Sequence, residues 1–299
     1  MTGFAIRHAA IFTVDPHDRV IPDGTLVVQD GVITQVGDDR AVTVPNGCAI
    51  IDGRGRALLP GLIDCHSHSS LMRGVTENMP LMEWLPWYQL EHRAMTEEFA
   101  YHSARLCYLE ALQSGTTCVM DMFRYMDRCA DAAAELGLRV QLAPYVADRP
   151  GKDFFSTREE NRRLIRSHHE TQNGRIRVWM GLEHLFYCTG DAYREAAQLS
   201  REYGLGIHTH CSEQKEEEQA VTAELGRRSL AMLDHYGILG ERTLLAHCVS
   251  LNSEEIARVA DTGTSIAHCP VSNAKLASGV APVPEMLAAG VTVGLGTDG

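Results

Sequence analysis

The stretch DCHSH sets His66 and His68 two residues apart. In an extended chain, positions two apart face the same side, so both imidazoles can close on one divalent ion at about 2.0–2.1 Å. A second pair, His208 and His210, stands in HTHCSE, with Glu213 three residues beyond His210. Single histidines follow in GLEH (His184), LLAHC (His247) and SIAHC (His268), and Asp298 stands in GLGTDG. A third imidazole and one carboxylate added to the first pair make a nitrogen-rich site with a position left for water. That open position separates catalytic from structural zinc. Any one of these histidines alone reads as a surface or hydrogen-bonded core residue; the information lies in their recurrence. No CxxC pair and no HExxH helix occurs, so neither a zinc finger nor that protease class fits.

The elements that must position these residues repeat in order. Apolar strand patterns at 57–64, 116–121, 139–146, 176–182, 205–209, 243–247, 264–268 and 292–296 alternate with amphipathic helix patterns such as MTEEFAYHSARLCYLEALQSG. SREYGLGIH and ARVADTGTSIAH each read as helix, glycine, strand. Eight such alternations predict an α/β fold of the (β/α)8 barrel type, whose chemistry sits at the C-terminal ends of the strands. His66 and His68 then follow strand one, His184 strand four, and His208 and His210 end strand five. His247, His268 and Asp298 end strands six, seven and eight. A doubly wound open sheet is the structural alternative, but the Gly-rich nucleotide fingerprint after its first strand is missing. Residues 1–57 read instead as short strands around an Asp30-Gly31 hairpin turn, a small β-sandwich part preceding a barrel over 58–299.

Composition narrows the partners. The chain has 299 residues, 44% of them apolar, enough for a sizeable core. Its net charge of −12 disfavours nucleic acid and anionic membrane. No run of about 18 apolar residues and no secretory leader pattern is present, and nine scattered cysteines without CxxC suit reduced thiols. A cytoplasmic enzyme acting on a small molecule is expected; homo-oligomerisation is left open.

PGLIDCHSH, HTHCSE, LLAHC, AHCPVSNAKLASG and GLGTDG, in this order, resemble the amidohydrolase superfamily. The resemblance is to the branch that hydrolyses N-heteroaromatic rings, and within it to S-adenosylhomocysteine/5′-methylthioadenosine deaminases. It implies His66, His68, His210 and Asp298 as metal ligands, Glu213 as proton shuttle, and His247 beside the metal as a polarising group. His184 is implied as a substrate contact, although the family commonly has Pro where this chain has Glu183. His208 takes a supporting place behind a ligand or on the substrate loop. His268 is counted with the substrate contacts. Binuclear relatives use a strand-four lysine; Lys152, Lys215 and Lys275 are the only lysines and none falls in a barrel strand. One divalent ion is therefore expected, zinc by ligand type, with iron as the alternative.

The implied chemistry is hydrolytic deamination. A divalent ion lowers the pKa of its water from about 15.7 to about 7. Glu213 would move that proton to the ring nitrogen, and Asp298 would accept the second as ammonia leaves. Further substrate contacts implied by the resemblance are Trp84 in an apolar lid within LMRGVTENMPLMEWL, Glu91 on ribose hydroxyls, and Arg158 before a helix. Guanine, 8-oxoguanine, pterin or s-triazine amino- or chlorohydrolysis remains the alternative, since the same metal core serves them all. A third reading is an inactive or binding-only product. It rests on the ending at Gly299, which implies a barrel lacking its eighth helix and the last strands of the small domain.

Overall fold

The computed structural model describes residues 3–70 and 79–299. They fall into two compact units, residues 1–61 and 62–299. In the first unit, β1 (Gly3–Phe12), β2 (Val20–Gln29) and β3 (Val32–Asp38) form an antiparallel meander. β4 (Ala49–Asp52) and β5 (Ala57–Leu58) pair with β1 in parallel. The β2–β3 turn has Asp30 at φ 50° and Gly31 at φ 80°, the left-handed pair that a type I′ hairpin needs. Ala5, Ala9, Ile11 and Val27 are the buried apolar residues of this sheet.

The second unit is the barrel. Its strands are β6 (Leu62–Ser67), β7 (Thr116–Phe123), β8 (Arg139–Pro144), β9 (Ile176–Val178), β10 (Met180–Leu182), β11 (Ile207–Cys211), β12 (Thr243–His247), β13 (Ser265–His268) and β14 (Val293–Leu295). All pairings are parallel, in the orders β6-β7-β8-β9 and β10-β11-β12-β13-β14. β9 and β10 are one strand interrupted at Trp179, whose N–H still reaches Leu142 O at 2.9 Å. Among the described residues, eight strands result. The ring closes where the Asp298 N–H donates to His66 O at 2.9 Å and the Thr297 N–H to Asp64 Oδ1 at 3.0 Å.

Local chemistry explains the boundaries. Thr96 caps the helix Glu97–Gln113 by accepting from Phe99 N, and Asn252 with Glu255 forms a capping box at Ser253–Thr262. The helices Gly190–Tyr203 and Ser253–Thr262 end on Gly204 and Gly263 before β11 and β13, as the helix–glycine–strand pattern predicts. The first barrel strand departs from expectation. It starts at Leu62, not 57, because Ala57 and Leu58 pair with Ala10 and Ile11 of β1, and Pro60 has no N–H to carry the ladder onward. His66 therefore lies within its strand. Gly296 lets the chain after β14 come close: a Cβ there would sit 2.9 Å from His66 Cβ.

Candidate active site

The C-terminal strand ends bring His66, His210, His247 and Asp298 together, with one ligand atom of each lying within 4.8 Å of the others. His66 is fully buried, and His210, His247 and Glu213 are buried beside it. Nε2 of His66 and of His68 each lie 2.9 Å from Asp298 Oδ1. The His66 contact has the distance of a hydrogen bond without its alignment, so that nitrogen is left without a hydrogen-bond partner. His68 falls outside the tightest group, its ring stacked on Tyr145 with the phenol oxygen 3.1 Å from Nε2.

The rings are anchored from behind. Nδ1–H of His68 donates to Met122 O (2.7 Å), that of His210 to Glu183 O (3.0 Å), and that of His247 to Asn273 Oδ1 (3.0 Å). Whenever such a ring is neutral, its bare Nε2 turns a lone pair inward. Burial, then the neighbouring His184 ring, holds His210 well below the usual imidazole range and keeps that lone pair free. Burial opposes the charge of Asp298, but His247 and the His66 and His68 rings outweigh it and hold the carboxylate ionised. The donor set fits a divalent ion: inward imidazole nitrogens, one ionised carboxylate, and a buried His66 Nε2 with no hydrogen-bond partner among the described residues. Backbone strain concentrates here too. His247 at the last position of β12, and Ser212, Cys248 and Asp298 just past their strands, take left-handed φ values of 51–69°, costing of order 1–3 kcal/mol each.

Glu213 faces this group. Its Oε2 lies 3.6 Å from Nε2 of both His184 and His247. His184 Nδ1 donates to Glu183 Oε2 at 2.6 Å, and its ring stacks on His210 at 4.2 Å. Burial disfavours charge on His184, yet Glu183 and Glu213 outweigh it and push its pKa well above the usual value. The centre opens to a cavity of about 610 Å³ whose lining includes the polar His68, His184, His210, Glu213, His247 and Asp298 and the apolar or aromatic Leu81, Trp84, Leu85 and Tyr88. That volume suits a small heterocycle with an apolar appendage.

The other expected substrate residues are not at this cavity. Glu91 accepts from the Ser70 hydroxyl at 2.8 Å and is not a cavity residue. Arg158 opens the helix Arg158–His168 and pairs with Glu195 (3.0 Å) and Asp148 (3.6 Å). His268 is half-buried at the end of β13, outside the lining. Residues 71–78 of the expected lid segment lie outside the described residues. The site also uses residues that sequence reasoning missed. Ser272 donates to Asp298 Oδ2, and Asn273 orients His247; both stand in the quoted AHCPVSNAKLASG motif. Glu217 accepts from the Glu213 and Gln214 N–H groups, and its signal was hidden in the acidic run KEEEQ. Asp121 accepts from Ser69 and Tyr108, fixing the backbone just after His68.

Known proteins share this plan. The 5′-deoxyadenosine deaminase of Methanosarcina mazei is 35% identical over all of this chain and 69% of its own length. The 5-methylthioadenosine/S-adenosylhomocysteine deaminase of Pelotomaculum thermopropionicum is also 35% identical, over all of this chain and 70% of its own length. A crystal structure of an adenosine deaminase from Xanthomonas campestris with bound zinc superposes at a TM-score of 0.92. It is 28% identical and covers all of this chain and 69% of that one. The model of the amidohydrolase family matches residues 57–299, and this chain belongs to that family.

Proposed function

We propose that this chain hydrolyses the exocyclic amine of an adenosine-type purine nucleoside, releasing ammonia. S-adenosylhomocysteine, 5′-methylthioadenosine, 5′-deoxyadenosine and adenosine form the candidate class. The observation that carries this reading is Glu213, a buried carboxylate 3.6 Å from two imidazoles in the lining of a cavity that also holds apolar and aromatic side chains. Relatives named for deamination of such nucleosides at 35% identity support the same substrate class.

His66, His68, His210 and Asp298 would hold one zinc ion, with His247 beside them. When bound, that ion supplies Lewis acidity and a water acidified to near neutrality. Glu213 takes a proton from the attacking water and places it on the ring nitrogen next to the amine-bearing carbon. That carbon becomes electrophilic, the water oxygen bonds to it, and the ring loses aromaticity. Asp298 accepts the second water proton and returns it to the departing amine as the carbon–nitrogen bond breaks, so ammonia leaves and a ring carbonyl remains. His184, held charged by Glu183, faces the bound ring as a hydrogen-bond donor. Trp84 and Tyr88, in the cavity lining, exclude water from the bound ring.

The test is a panel of purine nucleosides, guanine, pterins and s-triazines incubated with zinc-loaded protein and followed by ammonia release and ultraviolet change. Turnover of adenosine-type nucleosides above the others is the expected result. Turnover confined to guanine, pterin or triazine would overturn the substrate assignment and leave the metal chemistry standing.

A further inference from the structure

Every imidazole of the centre except one is fixed at Nδ1 by an acceptor that cannot donate. Those acceptors are the carbonyls of Met122, Glu183 and Leu244, the amide oxygen of Asn273 and the carboxylate of Glu183. Each takes a proton from Nδ1 of its ring, although His68 Nδ1 also lies 2.6 Å from the Tyr145 hydroxyl. His66 is the exception: its Nδ1 lies 2.7 Å from Nε2 of another imidazole, His208, which can donate or accept. The ambiguity matters because His66 Nε2 is the ligand atom next to Asp298. If the His66 proton sat on Nε2, that nitrogen would have no lone pair for an ion.

Leu244 resolves the choice. His208 Nδ1 lies 2.8 Å from Leu244 O, and a carbonyl only accepts, so the His208 proton is on Nδ1. His208 is fully buried with both ring nitrogens taken by uncharged partners, so it carries a single proton. Its Nε2 is then bare and must accept, which places the His66 proton on Nδ1 and clears His66 Nε2. The chain of bonds runs Leu244 C=O, His208, His66, site. His208 does not line the cavity. We propose that His208 is a positioning residue that selects the tautomer of His66, turning its Nε2 lone pair to the centre without touching ion or substrate.

This inference rests on the metal-site reading, and its test separates the two. In full-length, metal-free protein with nitrogen-15-labelled histidine, ring correlations report which nitrogen carries each proton. His66 and His208 should both be protonated on Nδ1; a proton on His66 Nε2 would overturn the relay. Two substitutions follow. His208→Gln keeps an acceptor at the position of Nε2, and His208→Leu removes it. In chelator competition the zinc Kd should rise about 10–100-fold in His208→Leu and return to within about threefold of the parent in His208→Gln. Equal affinity in all three proteins would overturn the proposal. Should His208→Leu not fold, the ring pattern of the parent protein decides alone. A parent protein that binds no zinc removes the metal reading, and the ring pattern still decides the relay.

Discussion

Two buried carboxylates, one in each unit, are treated in opposite ways. In the small β unit, Asp39 receives Arg7 through Nε (2.8 Å) and Nη2 (2.6 Å), and Thr25 through its hydroxyl. The Arg7 hydrogen bond, then that of Thr25, holds the carboxyl well below its usual range. In the barrel, Glu217 has no guanidinium among its described partners and accepts only from the Glu213 and Gln214 N–H groups. Burial pushes it up to about 7, with His184 opposing and Glu213 adding to the rise. The first cluster closes its own electrostatics and is structural. The second leaves carboxylates under-compensated and imidazole nitrogens such as His66 and His184 Nε2 without hydrogen-bond partners among the described residues, a condition that invites a bound ion and a polar substrate.

The comparison can be broken in four ways, from the largest effect down. Glu213→Gln keeps the proposed ligands and removes the proposed base. Turnover should fall about 10²–10⁴-fold with zinc content unchanged, read by ammonia release beside metal analysis. Full activity in that variant would remove Glu213 from the mechanism. The next effect is on stability. A carboxyl raised on folding stabilises fully below its ordinary value of 4.5 and loses that contribution as pH rises through about 7. In metal-free protein, Glu217→Gln should erase a decline of roughly 3 kcal/mol across that window, measured by urea unfolding at stepped pH. An unchanged slope would mean that Glu217 is compensated after all.

Asn273→Leu frees Nδ1 of His247. A weakening of zinc binding by about 10–100-fold is expected, with a matching loss at limiting metal. The smallest effect belongs to the closed cluster. Asp39 is held low, so its contribution is present above the unfolded value of about 3.9 and is lost as pH falls through the depressed folded value. Asp39→Asn should therefore lower stability at neutral pH, flatten the acid limb, and leave deamination untouched. A change in zinc affinity there would contradict the division between the two clusters.

Residue type and spacing made the strands and the chemistry-bearing side chains legible. The strands after the first lie within about two residues of their apolar runs, because parallel barrel strands are buried on both faces. The paired histidines were visible through period two. What anchors them was not, since Met122, Glu183 and Leu244 act through carbonyls that every residue carries. Arg158 reads from sequence as a ligand contact and folds as a helix-start ion pair, a distinction that only the neighbouring Glu195 and Asp148 make. Pro60 was the missed cue for where the first barrel strand begins.

The central claim is that one ion held at the barrel strand ends, with Glu213 beside it, deaminates an adenosine-type nucleoside. The direct measurement is ammonia release from 5′-methylthioadenosine by protein carrying a known zinc content, before chelation, after it, and after zinc is returned. The account predicts release proportional to zinc up to one ion per chain, abolished by chelation and restored on reloading. Release that persists in the zinc-free protein, or none from any adenosine-type nucleoside at full zinc occupancy, would contradict it.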